Sequence, residues 1–225
     1  MNKSYAKELA ARKSLDFIEN GMVIGLGTGS TASCFINLLG ERVKSGLTIR
    51  GIPTSKSSKE LAESLSIPIV DFQQCPEIDV AIDGADEIGP GLALIKGGGG
   101  ALLHEKIVAS ASKRFIVIAD SSKLVSRLEK VPIPVEVIPA ASPVVARKLA
   151  QLGIRATIRR LATGSEFITD EGNLILDCEC GEIREPDALA MSIRNIVGVV
   201  EHGLFLHMTE RALVSDGTRV STLFK

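Results

Sequence analysis

Apolar residues recur along the chain with two periods, and the switches between them mark the elements. Residues 3–19 place Ala6, Leu9, Ala10, Leu15 and Ile18 on a helical stripe that Gly21 ends. MVIGLG (22–27) is a short apolar run that breaks into a glycine turn, the pattern of a buried strand, and STASCFINLLGERV follows with a helical period. LTIRGIP (47–53) is predicted as a strand, SKSSKELAESL (55–65) as a helix and PIVDF (68–72) as a strand. DVAIDGADEI (79–88) runs from strand into an acidic turn, LALIKGGGG (92–100) from strand into a glycine run, and ALLHEKIVASAS (101–112) is helical before the strand RFIVIAD (114–120). Such alternation predicts a Rossmann-like, mostly parallel sheet with helices on both faces.

After about residue 130 the rhythm changes. VPIPVEVIP, SPVVARKLAQLG, IRATIRRL, NLILDCE, PDALAMSIRNI and VGVVEHGLF read in order as β-α-β-β-α-β, the pattern of a small ferredoxin-like α+β module with an antiparallel sheet. The tail RALVSDGTRVSTLFK adds a strand pair able to rejoin the first sheet. The expected division is therefore an α/β catalytic domain of residues 1–129 plus 206–225, with an inserted α+β domain over 130–205.

A formal net charge of −1, without interleaved basic and aromatic residues, excludes a field that would gather nucleic acid. The N-terminal segment carries charges throughout, unlike a signal peptide, and no stretch has the ~20 apolar residues of a membrane span, so a cytoplasmic protein with no membrane partner is expected. Cys178 and Cys180 form a lone CxC without a second pair, too few ligands for structural zinc; with Cys34 and Cys75 they are expected to be reduced thiols.

Three glycine-bearing loops carry the candidate chemistry. GLGTGST (25–31) lies between strand and helix, where amides and a helix N-terminus favour an anion. Ser30 stands where a dinucleotide fingerprint needs its third glycine, no acid ends the next strand, and no GxxxxGK[ST] occurs. What remains is a cradle for a small phosphate bearing Thr28, Ser30 and Thr31, or a turn that only packs helix on strand. DGADE (83–87) ends a predicted strand; its acids could bind Mg²⁺, move protons or cap the next element. In KGGGGALLHEK (96–106), a helix starting near Gly99 or Gly100 would tip the Glu105 carboxylate back over bare amides and Lys96, a base beside an oxyanion site. The alternative is that Glu105 only complements the helix dipole. His104 points about 100° away around such a helix. His202 and His207 fall on opposite faces of the last predicted strand of the small domain, in structural positions, and Lys123 in DSSK could add a charge at the same sheet edge.

With GLGTGSTA, DGADEI and KGGGGALLHEKIVA in this order, and with IADSSK (118–123) and PVEVIP (134–139), nearly the whole chain resembles ribose-5-phosphate isomerase of type A. The resemblance implies interconversion of D-ribose 5-phosphate and D-ribulose 5-phosphate through an ene-diolate, in the non-oxidative pentose phosphate pathway. It implies a homodimer, with a tetramer the other possibility, and no metal or organic cofactor. It makes Glu105 the proton acceptor, with Asp83, Asp86 and Lys96 catalytic. Substrate contacts are implied at Thr28, Gly29, Ser30, Thr31, Asp83, Gly84, Ala85, Asp86, Lys96, Gly97, Gly98, Gly99 and Lys123, with Lys7 reaching the phosphate. The ene-diolate oxygen would meet the amides of Gly97 to Gly100. His104 departs from members carrying arginine or glutamine there. The competing readings are a coenzyme A transferase, in which the glutamate is a nucleophile, and a non-catalytic sugar-phosphate sensor, for which no DNA-binding segment is visible.

Overall fold

A computed structural model describes residues 3–225. In chain order the elements are α1 (Lys3–Ser14), β1 (Val23–Leu26), α2 (Ser30–Lys44), β2 (Arg50–Pro53), α3 (Lys56–Ser64), β3 (Val80–Asp83), β4 (Glu87–Ile88) and β5 (Leu94–Ile95). They continue as α4 (Leu102–Ser110), β6 (Phe115–Asp120), β7 (Ile133–Val137), α5 (Ser142–Gln151), β8 (Arg155–Ile158) and β9 (Leu174–Glu179). The series ends with α6 (Pro186–Arg194), β10 (Val199–His202), β11 (Leu204–Phe205), β12 (Arg211–Ser215) and β13 (Val220–Phe224).

The chain folds as two compact units. The first holds the residues up to Ala85, His104–Leu124 and His207–Lys225. Its six-stranded sheet has the order β13-β12-β6-β3-β1-β2, parallel except for the β12–β13 hairpin. β1 and β6 are buried along their whole length, as apolar runs in a covered parallel sheet should be. Phe35, Ile36 and Leu39 of α2 are buried in the core with Ile24, Leu26 and Ile82, and Ala32, one turn earlier, is buried on the same face. Gly25 lets α4 close onto β1: a Cβ there would stand 2.6 Å from Val108 Cγ1. The returning tail is clamped by Arg211, whose guanidinium lies 4.8 Å from the Phe17 ring centroid and 5.1 Å from that of Phe224. Glu210 accepts from Arg114 Nε at 2.8 Å, and that bond, joined by Arg211, holds its carboxyl below the usual range.

The second unit comprises Asp86–Leu103 and Val125–Leu206. β7, α5, β8, β9, α6 and β10 build an antiparallel sheet of order β10-β7-β9-β8, the ferredoxin-like arrangement expected from the β-α-β-β-α-β pattern. Its core joins Val135, Val137 and Leu176 of the strands to Val145, Leu149 and Ile193 of the helices.

Three expectations need correction. Residues 86–103, assigned from sequence to the larger domain, group with the second unit because β5 pairs with β11, and β4 with β5, in a separate three-stranded sheet. PIVDF is not a strand; it makes a single bridge, Gly51 to Ile69, beside β2. VGVVEHGLF is two strands in two sheets, β10 and β11, divided at Gly203, and His207 lies beyond both with φ +61°.

Gly203 is the corner of the second unit. Its amide donates to Pro134 O at 2.7 Å, and its carbonyl accepts from Lys96 N–H at 2.9 Å. A Cβ there would stand 2.3 Å from Lys96 O and 2.6 Å from Pro134 Cδ. Gly203→Ala should therefore cost about 1–3 kcal/mol as an overpacking strain. That corresponds to a fall in melting temperature of roughly 2–4 °C per kcal/mol in a chain of this size. An unchanged midpoint by calorimetry would show that the corner yields without cost.

Candidate active site

The first unit assembles its polar groups at the carboxyl ends of β1, β3 and β6, three adjacent parallel strands. β2 lies on one side of β1 and β3 on the other, so the sheet order reverses there, which is where open α/β sheets take their ligands. Asp83 closes β3 and is 3% exposed. Its Oδ1 accepts the amides of Thr28 at 3.0 Å and of Gly84 at 2.7 Å. This carboxylate explains Gly27: a Cβ at that position would stand 2.2 Å from Asp83 Oδ1. Gly29 then takes φ +96° to start α2.

GLGTGST divides its hydroxyls between two tasks. Thr28 Oγ1 joins a cluster with Thr54 Oγ1 at 2.7 Å, Ser55 Oγ at 2.8 Å and Ser58 Oγ at 3.1 Å. Ser58 and Thr54 in turn donate to the carbonyls of Gly27 and Leu26. The Thr28 side chain, expected at the phosphate, is therefore spent inside the protein, because TSKSS (54–58) supplies hydroxyl partners that the sequence alone did not bring near it. Ser30 and Thr31 begin α2, and Ser30 Oγ accepts from Lys7 Nζ at 2.8 Å. A helix N-terminus, two hydroxyls and a lysine are groups able to hold an anion. Thr31 Cβ lies 3.8 Å from the Cβ position of Gly84. Lys123 ends the short turn after β6, at the same sheet edge; Asp120 fixes that turn by accepting Ser122 N–H at 3.0 Å.

DGADE continues into the second unit with two more carboxylates that accept backbone amides. Asp86 Oδ2 takes Gly98 N–H at 2.7 Å, and Glu87, 2% exposed, takes the amides of Glu129, Lys130 and Val131 at 3.0, 2.7 and 3.0 Å. All three acids anchor backbone, and they do so chiefly at segments distant in sequence rather than by capping the next element. No group of three or more His, Cys, Asp or Glu placed to hold a metal occurs among the described residues. Burial pushes the Cys180 thiol up to about 11 and Cys178 higher still, so neither offers a thiolate at neutral pH.

Three of the four glycines are required for different reasons. Gly97 and Gly100 have φ of +93° and +87°, and a Cβ on Gly100 would stand 2.2 Å from Phe167 Cζ. Gly98 has no such φ; its missing side chain admits Asp86, whose Oδ1 would be 2.8 Å from a Cβ. The expectation that all four amides face an oxyanion needs amending. Gly98 N–H is given to Asp86 and Gly100 N–H to Gly97 O, and these two bonds leave out the amides of Gly97 and Gly99. Lys96 is 2% exposed, with Nζ 5.5 Å from the centroid of the fully buried Phe205 ring.

Glu105 sits in the first turn of α4, in the first unit. The helix starts at Leu102, two or three residues later than expected, and its buried stripe reads Leu102, Glu105, Val108 and Ala109. A carboxylate 4% exposed on an otherwise apolar stripe does more than complement a dipole from the surface. His104 is half-buried on the neighbouring face. Sequence reasoning missed Thr54, Ser55 and Ser58, and in the second unit Arg159, Phe167 and Asp177. Arg159 Nη1 donates to the carbonyls of both Gly97 and Gly98 at 3.0 Å. Nothing local signalled this, since the contact spans some sixty residues.

Residues 50–219 match the sequence model of the ribose 5-phosphate isomerase A (phosphoriboisomerase A) family. Ribose-5-phosphate isomerase A of Gluconobacter oxydans is 54% identical over 212 residues, covering 93% of this chain and 92% of that one. The enzyme of Parvibaculum lavamentivorans is 50% identical over 220 residues, covering 95% of each. Among solved structures, ribose 5-phosphate isomerase A of Methanocaldococcus jannaschii superposes with a TM-score of 0.94 at 46% identity, over 98% of both chains. A D-ribose-5-phosphate isomerase in complex with phospho-erythronic acid gives a TM-score of 0.97 at 42% identity, over 100% of both. The buried glutamate after the glycine loop, the amide-anchored acids and these matches lead to one assignment: the chain belongs to the ribose 5-phosphate isomerase A family.

Proposed function

We propose that the chain interconverts D-ribose 5-phosphate and D-ribulose 5-phosphate by moving a proton between C2 and C1 through an ene-diolate. The observation that carries this is the buried Glu105 carboxylate in the helix that directly follows the glycine loop. Burying an acid is costly, a cost that proteins keep mainly at functional sites, and a carbon acid beside a carbonyl needs a positioned base. Glu105 takes the proton from one carbon and returns it to the next. The negative oxygen of the intermediate is stabilised by Lys96 and by the loop amides not committed elsewhere. Ser30, Thr31, Lys7, Lys123 and the N-terminus of α2 hold the phosphate. Asp83 and Asp86 serve ring opening and the hydroxyl protons while keeping their loops in place, with Gly84 and Ala85 between them along the substrate.

The relatives named as isomerases, one of them bound to phospho-erythronic acid, support this over acyl transfer on the glutamate or a sensor without chemistry. The same reading gives a cytoplasmic enzyme of the non-oxidative pentose phosphate pathway acting without metal or organic cofactor. No helix among the described residues is long and apolar enough to cross a membrane. Closed two-fold dimers are the commonest assemblies, and a homodimer is proposed.

In D₂O the protein should exchange the C1/C2 proton of ribose 5-phosphate, and Glu105→Gln should abolish that exchange. This variant keeps size and hydrogen bonding but cannot accept a proton, so kcat should fall by at least about 10² with KM within a few-fold. His104→Gln should cost under about tenfold on the same scale. The reverse order would make the histidine the base.

Full activity should survive exhaustive EDTA treatment, because each acid of DGADE already accepts backbone amides. Activity lost to EDTA and restored by Mg²⁺ or Mn²⁺ would sink the metal-free mechanism. Light scattering at micromolar protein should return twice the 23.9 kDa chain mass, and a monomeric mass would contradict the dimer.

A further inference from the structure

The glycine loop has a holder that the isomerase reading does not use. Arg159 follows β8 and is fixed from three sides within the second unit. Its backbone amide donates to Ile175 O at 2.8 Å, and its carbonyl accepts from Phe167 N–H at 2.9 Å. Its Nε donates to Asp177 Oδ2 at 3.0 Å while Nη2 donates to Oδ1, a fork-on-fork pair. Phe167 lies under the guanidinium, 5.9 Å from Cζ to the ring centroid, and the same ring fills the space beside Gly100. The remaining nitrogen, Nη1, donates to Gly97 O and Gly98 O, both at 3.0 Å.

Those two carbonyls define two peptide planes. No peptide in the described chain is cis, so each C=O points opposite to the N–H of its own unit. With Gly97 O turned to Arg159, the Gly98 amide is turned away from it, and there it meets Asp86. With Gly98 O turned to the same nitrogen, the Gly99 amide is also turned away from the guanidinium. Glycines have no side chain to hold such planes, and a loop of four would otherwise sample many. A cation on the carbonyl side also polarises both peptide units, which makes their N–H groups stronger donors.

We propose that Arg159, anchored on Asp177, is a positioning residue that sets the Gly97 and Gly98 peptide planes, so that Gly99 N–H is preorganised for the oxyanion of the intermediate. This rests on the isomerase reading, and it assigns Arg159 no contact with substrate. Preorganised donors matter only where charge develops, so loss of the holder acts on kcat.

The test compares wild type with Arg159→Met and Arg159→Lys in the full-length enzyme. Arg159→Met should lower kcat about 10- to 10²-fold, the scale of a misplaced catalytic group, with KM within about threefold. Arg159→Lys keeps the charge but cannot grip Asp177 and two carbonyls together, so it should recover only part of the loss. Inhibition separates positioning from stability. Phospho-erythronic acid places a carboxylate at the end where the intermediate carries its oxygens, and its inhibition constant should rise in step with the loss in kcat/KM. Inhibition by inorganic phosphate should not change. Folded variants with kcat within twofold of wild type, or with lower kcat but unchanged phospho-erythronic acid inhibition, overturn the proposal. Should Arg159→Met fail to fold, Arg159→Lys decides by the same two constants. An inactive wild type would overturn the isomerase reading and this inference with it, whereas an active wild type with unaffected variants overturns this inference alone.

Discussion

Carboxylates accepting backbone amides hold this molecule's loops. Asp83, Asp86 and Glu87 fall within five residues, and each ties down a different segment: the turn at Thr28, the glycine run at Gly98, and the stretch Glu129–Val131. Hydrogen bonds to a charged acceptor are the stronger kind, and those to the buried Asp83 and Glu87 are screened less by salt than surface pairs. Removing one of these acids would take the partner from one or more backbone N–H groups as well as delete a charge. The chain also passes from one compact unit to the other inside this pentapeptide, between Ala85 and Asp86, and again inside the first turn of α4. Two of the segments where the chain changes unit thus carry candidate chemistry.

Glycine placement follows from the same interactions. In GLGTGST one glycine admits a helix, one admits Asp83, and one supplies a left-handed turn at a helix start. In the GGGG run, Asp86, Phe167 and two positive φ angles account for three of four. The common account of glycine-rich loops, close approach by a ligand, is thus incomplete here: much of what approaches is the protein's own carboxylate or ring.

How much of this was legible in the sequence depended on range. Strands such as FIVIAD and helices such as α2 could be read because burial imposes a period on neighbouring residues. The small α+β module was readable from element order. The division at residues 86–103 was not, because the pairing of β5 with β11 joins segments about a hundred residues apart. In the site, local motifs pointed to Asp83, Asp86, Lys96 and Glu105, whereas the inward turn of Thr28 depended on hydroxyls arriving from Thr54 to Ser58. Arg159 stood in an unremarkable strand, IRATIRRL, where a solvated arginine would look the same. Only tertiary contact tells them apart.

The order of strands also governs how synthesis can proceed. β6, buried from Phe115 to Asp120, has β3 on one side and β12 on the other. β3 precedes it in the chain, but β12 arrives only at Arg211, after the whole second unit has been made. On the ribosome, a long apolar strand therefore stays an open sheet edge, the kind that recruits other chains, until the last residues emerge. The Phe17–Arg211–Phe224 stack then seals it. A premature stop shortly before Arg211 would leave every candidate catalytic residue in the chain, yet release a product with that edge exposed.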